Sequence, residues 1–294
     1  LKTELERGVV MKKSKIAILT DSSSSIYSME HDYEHLFMLD LPCFIGDRVF
    51  TNFMKNKDEE FYEALRNSNE IAKTSQASIG EILQMYEQLK ELGYEEVIYL
   101  PISKEISGSY GNAIQAKELV EGIAVHVVDT KRTVSILGAM ALEAARMASE
   151  GYTSEEIINR MYYMRDGSTY YFTVNDLTPL VKNGRLSNAK SYVANILKIK
   201  PIIQLTPEGK ITGVENVRTF KKALDRMIEL VNEQVNHKTG HIHIAFATED
   251  ENLELFKEKV HEKFPHLPIK VFKIPATVVA HTGLSALGVG YVNY

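Results

Sequence analysis

Three short apolar runs, each closing in small polar residues and each followed by helical spacing, limit the folds open to this chain more than any other feature. They are "KIAILTD" (15–21), "EEVIYLPIS" (95–103) and "IAVHVVDT" (123–130). Apolar runs of that length read as strands covered on both faces. Helices lie between them. Ile79, Ile82, Leu83, Tyr86 and Leu89 recur at three- and four-residue spacing behind a Ser78–Glu81 capping box, and Gly93 closes that pattern. "KEISGSYGNAIQAKELVEG" reads as a loop opening a helix that Gly122 ends, and "TVSILGAMALEAARMASEG" as an apolar, small-residue helix running to Gly151. Strands that alternate with helices imply a parallel sheet with crossover helices, because parallel neighbours cannot be joined by a tight hairpin.

The pattern changes after about residue 166. "STYYFTV" reads as a strand, "NDLTPLVKNGRLS" as a short helix and turn, and "NAKSYVANILKI" as a helix. A hairpin around Pro207-Glu208-Gly209 follows, then the amphipathic helix "TFKKALDRMIELVNEQV", the strand "HIHIAFA", another helix and the closing strand "IKVFKIPATVVAH". The expected fold class is therefore α/β in two domains. A Rossmann-like parallel-sheet domain spans 13–165 and an α+β domain spans 166–294. A chain of 294 residues suits that division.

Bulk properties remove several classes of function. The formal charge of -5 argues against nucleic acid as a main partner, and the lysines near the amino terminus and around residues 182–222 read as solvated faces. Cys43 is alone, in the apolar strand "LPCFIG", so no internal disulfide forms and a reducing cytoplasm is expected. No apolar run approaches the roughly 18–20 residues of a membrane span, so no stable membrane insertion is expected. "LKTELERGVVMKKSK" is too charged for a secretory signal, and Met11 is a candidate natural start with residues 1–10 an upstream extension. There is no P-loop, G-x-G-x-x-G, G-x-S-x-G, H-x-E, H-E-x-x-H or C-x-x-C. His241 and His243 share a strand face without a carboxylate or cysteine at ligand spacing, so no metal site is expected there.

What remains is where the small polar residues fall. Asp21 to Ser25, Ser103 to Ser109, and Asp129 to Thr130 all follow the carboxyl ends of the expected parallel strands. Ligands bind at that edge of an open α/β sheet, where strand order reverses. Ser78 is used as a cap, which leaves Thr74, Ser75 and Gln76 without a structural task, at a helix terminus suited to an anion. In "ISGSYGNA" (106–113), Ser107 is either an N-cap or a ligand contact, Gly108 allows close approach to the backbone, and Ser109 adds a second hydroxyl. Arg185 in "KNGRLS" either bonds the last carbonyls of its helix or reaches a ligand. His281, beside Thr282 at the end of a buried strand, is either a satisfied structural residue or part of the site. Hydroxyls, glycines, one arginine and one histidine describe an oxyanion-binding site, with no catalytic residue among them. A phosphoryl-transfer enzyme with His281 as acceptor, and a small-anion-binding regulator, are the alternatives. No carboxylate cluster for Mg²⁺ supports the former.

These segments together resemble the DegV family of bacterial fatty-acid-binding proteins. "ILTDSSSSI", "TSQAS", "ISGSYGNA", "VHVVDT", "VNDLTPLVKNGRLS" with "ILKIKPII", and "AHTGLSALGVGY" stand in the family's order from Lys15 to the end. The resemblance implies a protein that buries one long-chain, palmitate-like fatty acid between two domains. It places the carboxylate on Thr74 and Ser107, with Ser75, Gly108, Ser109, Arg185, His281 and Thr282 about the head group. It implies no cofactor, no catalysis by this chain, and a separate ATP-dependent fatty acid kinase that receives the ligand for lipid metabolism. The chain departs from the family pattern at Ala77 and Leu284, each in place of proline, at Asn183 in place of glycine and at Ser109 in place of threonine. Candidate acyl-chain walls are "VANILKI" and "TVSILGAM".

Overall fold

The computed structural model describes residues 14–53, 58–191, 199–235 and 240–294. Strand β1 (Ile16–Asp21) leads by way of β2 (Leu36–Leu39), β3 (Cys43–Ile45) and β4 (Arg48–Phe50) to helix α1 (Asp58–Arg66) and the two-residue β5 (Lys73–Thr74). Then come α2 (Ile79–Glu91), β6 (Glu96–Leu100), α3 (Ser109–Lys117), β7 (Ala124–Val127), α4 (Val134–Ser149) and α5 (Ser154–Gly167). The second half runs β8 (Thr169–Thr173), α6 (Thr178–Lys182), β9 (Lys200–Leu205), β10 (Ile211–Val217), α7 (Phe220–Gln234), β11 (His241–Phe246), α8 (Glu251–Lys263), β12 (Ile269–Lys273), α9 (Ala276–Thr282) and β13 (Leu287–Val292).

The expected parallel sheet is present, in the order β2-β1-β6-β7, with every pair parallel. The chain moves to one side of β1 first and to the other side afterwards. The reversal point is therefore between β1 and β6, and their carboxyl ends open the crevice there. Asp21 closes the bottom of it. One carboxylate oxygen accepts from the Ile102 N–H (2.8 Å), and the other accepts from the Ser23 N–H (3.0 Å) and hydroxyl (2.5 Å). Burial pushes the Asp21 carboxyl above its ordinary range, and these bonds oppose the shift.

The second sheet has the order β10-β9-β8-β13-β11-β12 and is mixed, antiparallel except for β11 with β12. A small antiparallel sheet, β4-β3-β5, stands beside them. Helix α4 explains how the two large sheets share one core. Its positions from Val134 to Ala141 are all buried, and so are Glu143, Ala144, Ala145, Met147 and Ala148. Only Leu142, Arg146 and Ser149, on one face, are part exposed, so the rest of its circumference packs against protein. One continuous core joins Ile18, Ile98 and Leu100 of the parallel sheet to Ile136, Met140 and Ala144 of α4, and on to Ile203, Leu205 and Val292 of the mixed sheet. Alanines and Gly138 keep this layer thin enough for both sheets to reach it.

Several elements differ from the sequence expectation. Helix α3 ends at Lys117, before Gly122. The closing strand divides into β12 and α9, because Pro275 cannot continue a ladder yet suits a helix start. His281 therefore lies on a helix and not at a strand end. β13, which the sequence reading lacked, lies between β8 and β11. Of "NAKSYVANILKI", residues 189–191 form a 3₁₀ turn and 192–198 lie outside the described residues.

His243, stacked beside His241 on β11, is 1 % exposed. Burial first, then the neighbouring His241 and Lys270, hold its imidazole down at about 3 against an ordinary value of 6.5. From about pH 6.5 down to about 3 the unfolded chain therefore binds a proton at this position that the folded chain does not. Stability contributed here is complete above pH 6.5 and falls as the pH is lowered. Between pH 7.5 and 5.5, wild type is expected to lose about 1.4 kcal/mol more than a His243→Phe variant, as read from urea midpoints at both values. Equal losses in the two proteins would refute this.

Candidate functional site

The crevice at the β1–β6 reversal is roofed by the second half of the chain and encloses a cavity of about 180 Å³. By the same measure one water needs only ~10–15 Å³, so the space suits an organic ligand. Six aliphatic side chains form its wall: Leu41, Ile102, Ile106, Leu180, Ile211 and Val278. The polar lining divides by burial. Ser75 and Gln76 are exposed and mark a mouth, whereas Ser23, Thr133 and Thr277 are buried. Thr74, Ser107, Arg185, His281 and Thr282 complete the lining, and among the described residues no Asp or Glu is part of it.

Each mouth residue is held by identifiable local structure. Thr74 belongs to β5, where it pairs with Cys43 of β3. Behind it the Ser78–Glu81 capping box starts α2, with the Glu81 N–H donating to Ser78 Oγ and the Ser78 N–H donating to the Glu81 carboxylate. That arrangement spares Thr74 from capping. Its hydroxyl meets His281 Nε2 at 2.7 Å, across more than two hundred residues of sequence. Burial, with the Arg185 guanidinium adding to it, lowers the His281 imidazole to about 4, so the ring is neutral at pH 7. Its Nδ1 has no partner among the described residues. A neutral ring carries one proton, and placing it on Nε2 gives that proton to Thr74. The threonine's own hydroxyl proton then points elsewhere, available to a ligand.

Ser107 is not the N-cap of α3; Gly108 occupies that position, without a side-chain cap. The Ser107 hydroxyl instead accepts from the Ser109 N–H (3.2 Å) and lies 3.0 Å from the Ser109 hydroxyl. Ser109 is buried behind it, so this second hydroxyl positions the first. Arg185 bonds the end of its own helix and also reaches a second segment. It donates to Asn183 O at the end of α6 (2.7 Å) and crosses to Ile106 O (3.2 Å), beside Ser107. Among the described residues it has no carboxylate partner. Asn183, standing where the family turn has glycine, donates through its amide to Ala72 O (3.0 Å), and so ties α6 to the strand carrying Thr74.

Of the residues expected at the site, Thr74, Ser75, Ser107, Arg185, His281 and Thr282 line one cavity. Gly108 and Ser109 stand immediately behind it. The space beside Gly108 is filled by the Gln76 amide, into which a Cβ at that position would run. Because Gln76 is exposed at its end, it can swing away. Gly108→Ala is therefore expected to cost no more than about 0.5 kcal/mol of stability, the ordinary range for surface substitutions, while displacing Gln76. Thermal unfolding and the chemical shift of the Gln76 side-chain amide check this, and a loss several times larger would mean Gln76 is fixed. Of the inner hydroxyls, Ser23 belongs to the Asp21–Ser25 run and Thr133 opens "TVSILGAM", whereas the sequence reading did not single out Thr277. Thr277 lies four residues before His281, a signal that becomes visible once that segment is read as a helix. Of "TVSILGAM", only Thr133 reaches the cavity, and in "VANILKI" residues 193–198 lie outside the described residues.

A parallel sheet whose reversal crevice is covered by a second, mixed sheet defines an α/β protein built around a cleft with aliphatic walls and a hydroxyl-lined mouth. Comparison with known proteins agrees with that architecture. The chain belongs to the DegV family, described as uncharacterised proteins, whose profile matches residues 15–293. A curated DegV domain-containing protein of Staphylococcus aureus (strain N315) is 34% identical over 282 residues, covering 95% of this chain and 98% of that protein. A fatty acid binding DegV family protein of Streptococcus agalactiae superposes with a TM-score of 0.88 at 29% identity, over 96% of this chain and 99% of the other. DegV of Bacillus subtilis, described as a fatty acid binding protein, gives 0.83 at 29% identity over 96% and 100%. No group of three or more metal-ligating side chains occurs among the described residues, and no helix there is long and apolar enough to cross a membrane.

Proposed function

We propose that this protein binds one long-chain, palmitate-like fatty acid between its two sheets and does no chemistry on it. The observation that supports this most directly is the lining itself. One guanidinium without a carboxylate partner and several hydroxyls face a space walled by six aliphatic side chains, with no acidic residue. That combination suits an anionic head on an apolar tail. Thr74 and Ser107 hold the carboxylate, Arg185 balances its charge, and His281 orients Thr74. Ser75, Gly108, Ser109 and Thr282 shape the mouth. The two sheets act as domains that meet near residues 165 and 166, where α5 leads into β8.

Energetics favour the reading. The fourteen methylenes and terminal methyl of a sixteen-carbon acid, at about 0.8 kcal/mol each, give roughly 11–12 kcal/mol gross, from which several kcal/mol of association and ordering cost is subtracted. The carboxylate would be costly to bury alone, and charge-assisted hydrogen bonds offset that. A mouth marked by exposed Ser75 and Gln76 leaves the head group within reach of a second protein. We place that protein as a separate ATP-dependent fatty acid kinase in the cytoplasm, consistent with a carrier that has no catalytic group of its own.

Organic extraction of the purified protein, with mass spectrometry of the extract, tests the proposal. A C14–C18 acid at about one per chain is expected, either as purified or after incubation of stripped protein with palmitate. Protein that retains none after incubation would remove the reading, and phosphorylated small anions would be tried next.

A further inference from the structure

Three buried hydroxyls inside the cavity have no part in holding a carboxylate at the mouth. Ser23 Oγ donates to the Asp21 carboxylate (2.5 Å), Thr133 Oγ1 to Ser23 O (3.2 Å) and Thr277 Oγ1 to Ser22 O (3.1 Å). All three therefore hang from the strand end at Asp21–Ser23, and all three line the cavity. The direction of these bonds determines what they can still do. A backbone carbonyl only accepts, so each threonine proton is committed to the main chain. A hydroxyl whose proton is committed offers only acceptor capacity to whatever lies beside it.

An unbroken methylene chain gives such acceptors nothing. An alcohol on the chain would donate to them. A ketone or ether oxygen would meet them lone pair against lone pair and gain nothing. Position follows from α9. Thr277 and His281 stand four residues apart on that helix and both face the cavity, so they are separated by about one turn, roughly 5.4 Å along the axis. His281 bonds Thr74. An extended chain starting from a carboxylate at Thr74 and Ser107 covers that interval in about four carbons, which brings carbons three to seven level with Thr277 by roughly that pitch.

We propose that the cavity selects acyl ligands bearing a hydroxyl near the carboxyl end, between about carbons three and seven, by donation to Thr277 and its neighbours Thr133 and Ser23. This rests on the fatty-acid reading above and narrows its ligand to hydroxy acids.

Competition binding to the full, lipid-stripped chain tests it with palmitate, hydroxypalmitates substituted at carbons 3 to 7, and the matching oxo acids. The best hydroxy isomer is expected to bind about fivefold tighter than palmitate, the gain of one ordinary hydrogen bond, and its oxo counterpart no tighter than palmitate. In Thr277→Val the ratio of hydroxy to parent affinity should fall to about one, and in Thr277→Ser it should be retained. The ligand series on the wild-type chain decides the matter even where a variant does not fold. Palmitate bound, with no hydroxy isomer preferred or with oxo acids matching them, overturns this inference alone. Failure of palmitate itself to bind overturns the fatty-acid reading and this one with it.

Discussion

Replacing Thr74 by valine and Ser107 by alanine in one chain is expected to weaken palmitate binding by about a thousandfold. Each hydroxyl would supply a hydrogen bond to a charged acceptor, at about 1.5–3 kcal/mol each, and every 1.4 kcal/mol is tenfold. Single substitutions should each cost about ten- to a hundredfold by the same arithmetic. Thr74→Ser should sit near wild type, because the hydroxyl and its His281 bond survive. Methyl palmitate separates a head-group effect from general damage. It has the chain but not the charge, so wild type and the double variant should bind it alike. Titration calorimetry on stripped protein reads all of these. A double variant within threefold of wild type for palmitate would mean the carboxylate lies elsewhere in the cavity.

The identity of the mouth residues was legible in the sequence because local rules left them over. The Ser78–Glu81 box accounts for Ser78 and makes Thr74 conspicuous. The strand-end position of Ser107 follows from the apolar run before it. The parallel sheet was legible for the same reason, since β1, β6 and β7 are apolar runs too short for buried helices. Helix α4 also declared itself, although only the structure shows that its apolar circumference serves two sheets at once.

What was not legible depends on partners distant in sequence. β13 reads as a loop because Gly288 and Gly290 depress strand propensity. In the fold those positions lie against Tyr170 of the neighbouring strand, which occupies the space a side chain would need. Strand β5 has two residues and no periodicity, and exists because β3 pairs with it. Thr277 lay in a segment whose β-branched residues favour a strand, whereas Pro275 turns it into α9. That Thr133 and Thr277 join Ser23 at the Asp21–Ser23 strand end was not legible, because they reach it from distant parts of the chain.

The cavity has no wall of its own on one side; the second half of the chain supplies it. Ser25 donates to Lys273 O (3.0 Å) and Thr277 to Ser22 O, securing the β12–α9 connection to the end of β1, and the Tyr62 hydroxyl of α1 donates to Ile274 O in the same connection. On the other flank the β9–β10 turn comes down on Ser103, whose hydroxyl donates to Gly209 O (2.9 Å). Gly209 has φ +92, and a Cβ there would meet Ser103 and Lys131, so the turn can approach this closely only with glycine. Ile211, two residues on, is part of the cavity wall. Contacts outside the cavity thus help to place its wall.

Arg132 joins several of the segments around that wall. It is 1 % exposed, and its guanidinium donates to Lys131 O (3.1 Å), Thr206 O (3.0 Å), Arg165 O (2.5 Å) and Ser168 O (3.0 Å). Those carbonyls belong to the β7–α4 loop, the β9–β10 turn and the end of α5. None of its bonds goes to a carboxylate, and burial lowers its guanidinium to about 10, which still leaves it charged at pH 7. Removing it relieves the cost of a buried charge but leaves Arg165 O and Ser168 O unpaired, at about 1 kcal/mol or more each, while Thr206 O keeps the Gly209 N–H (2.9 Å). Arg132→Met is therefore expected to lose about 2 kcal/mol, and roughly 4–8 °C in Tm. Arg132→Lys should recover little, because a compact ammonium cannot reach the carbonyls that the planar fork spans. Palmitate affinity should fall in both variants, since Thr133 and the turn leading to Ile211 lose their common anchor. Differential scanning calorimetry with and without palmitate measures both effects. An Arg132→Met protein with wild-type Tm and affinity would show that the turn is held by Ser103 and Gly209 alone.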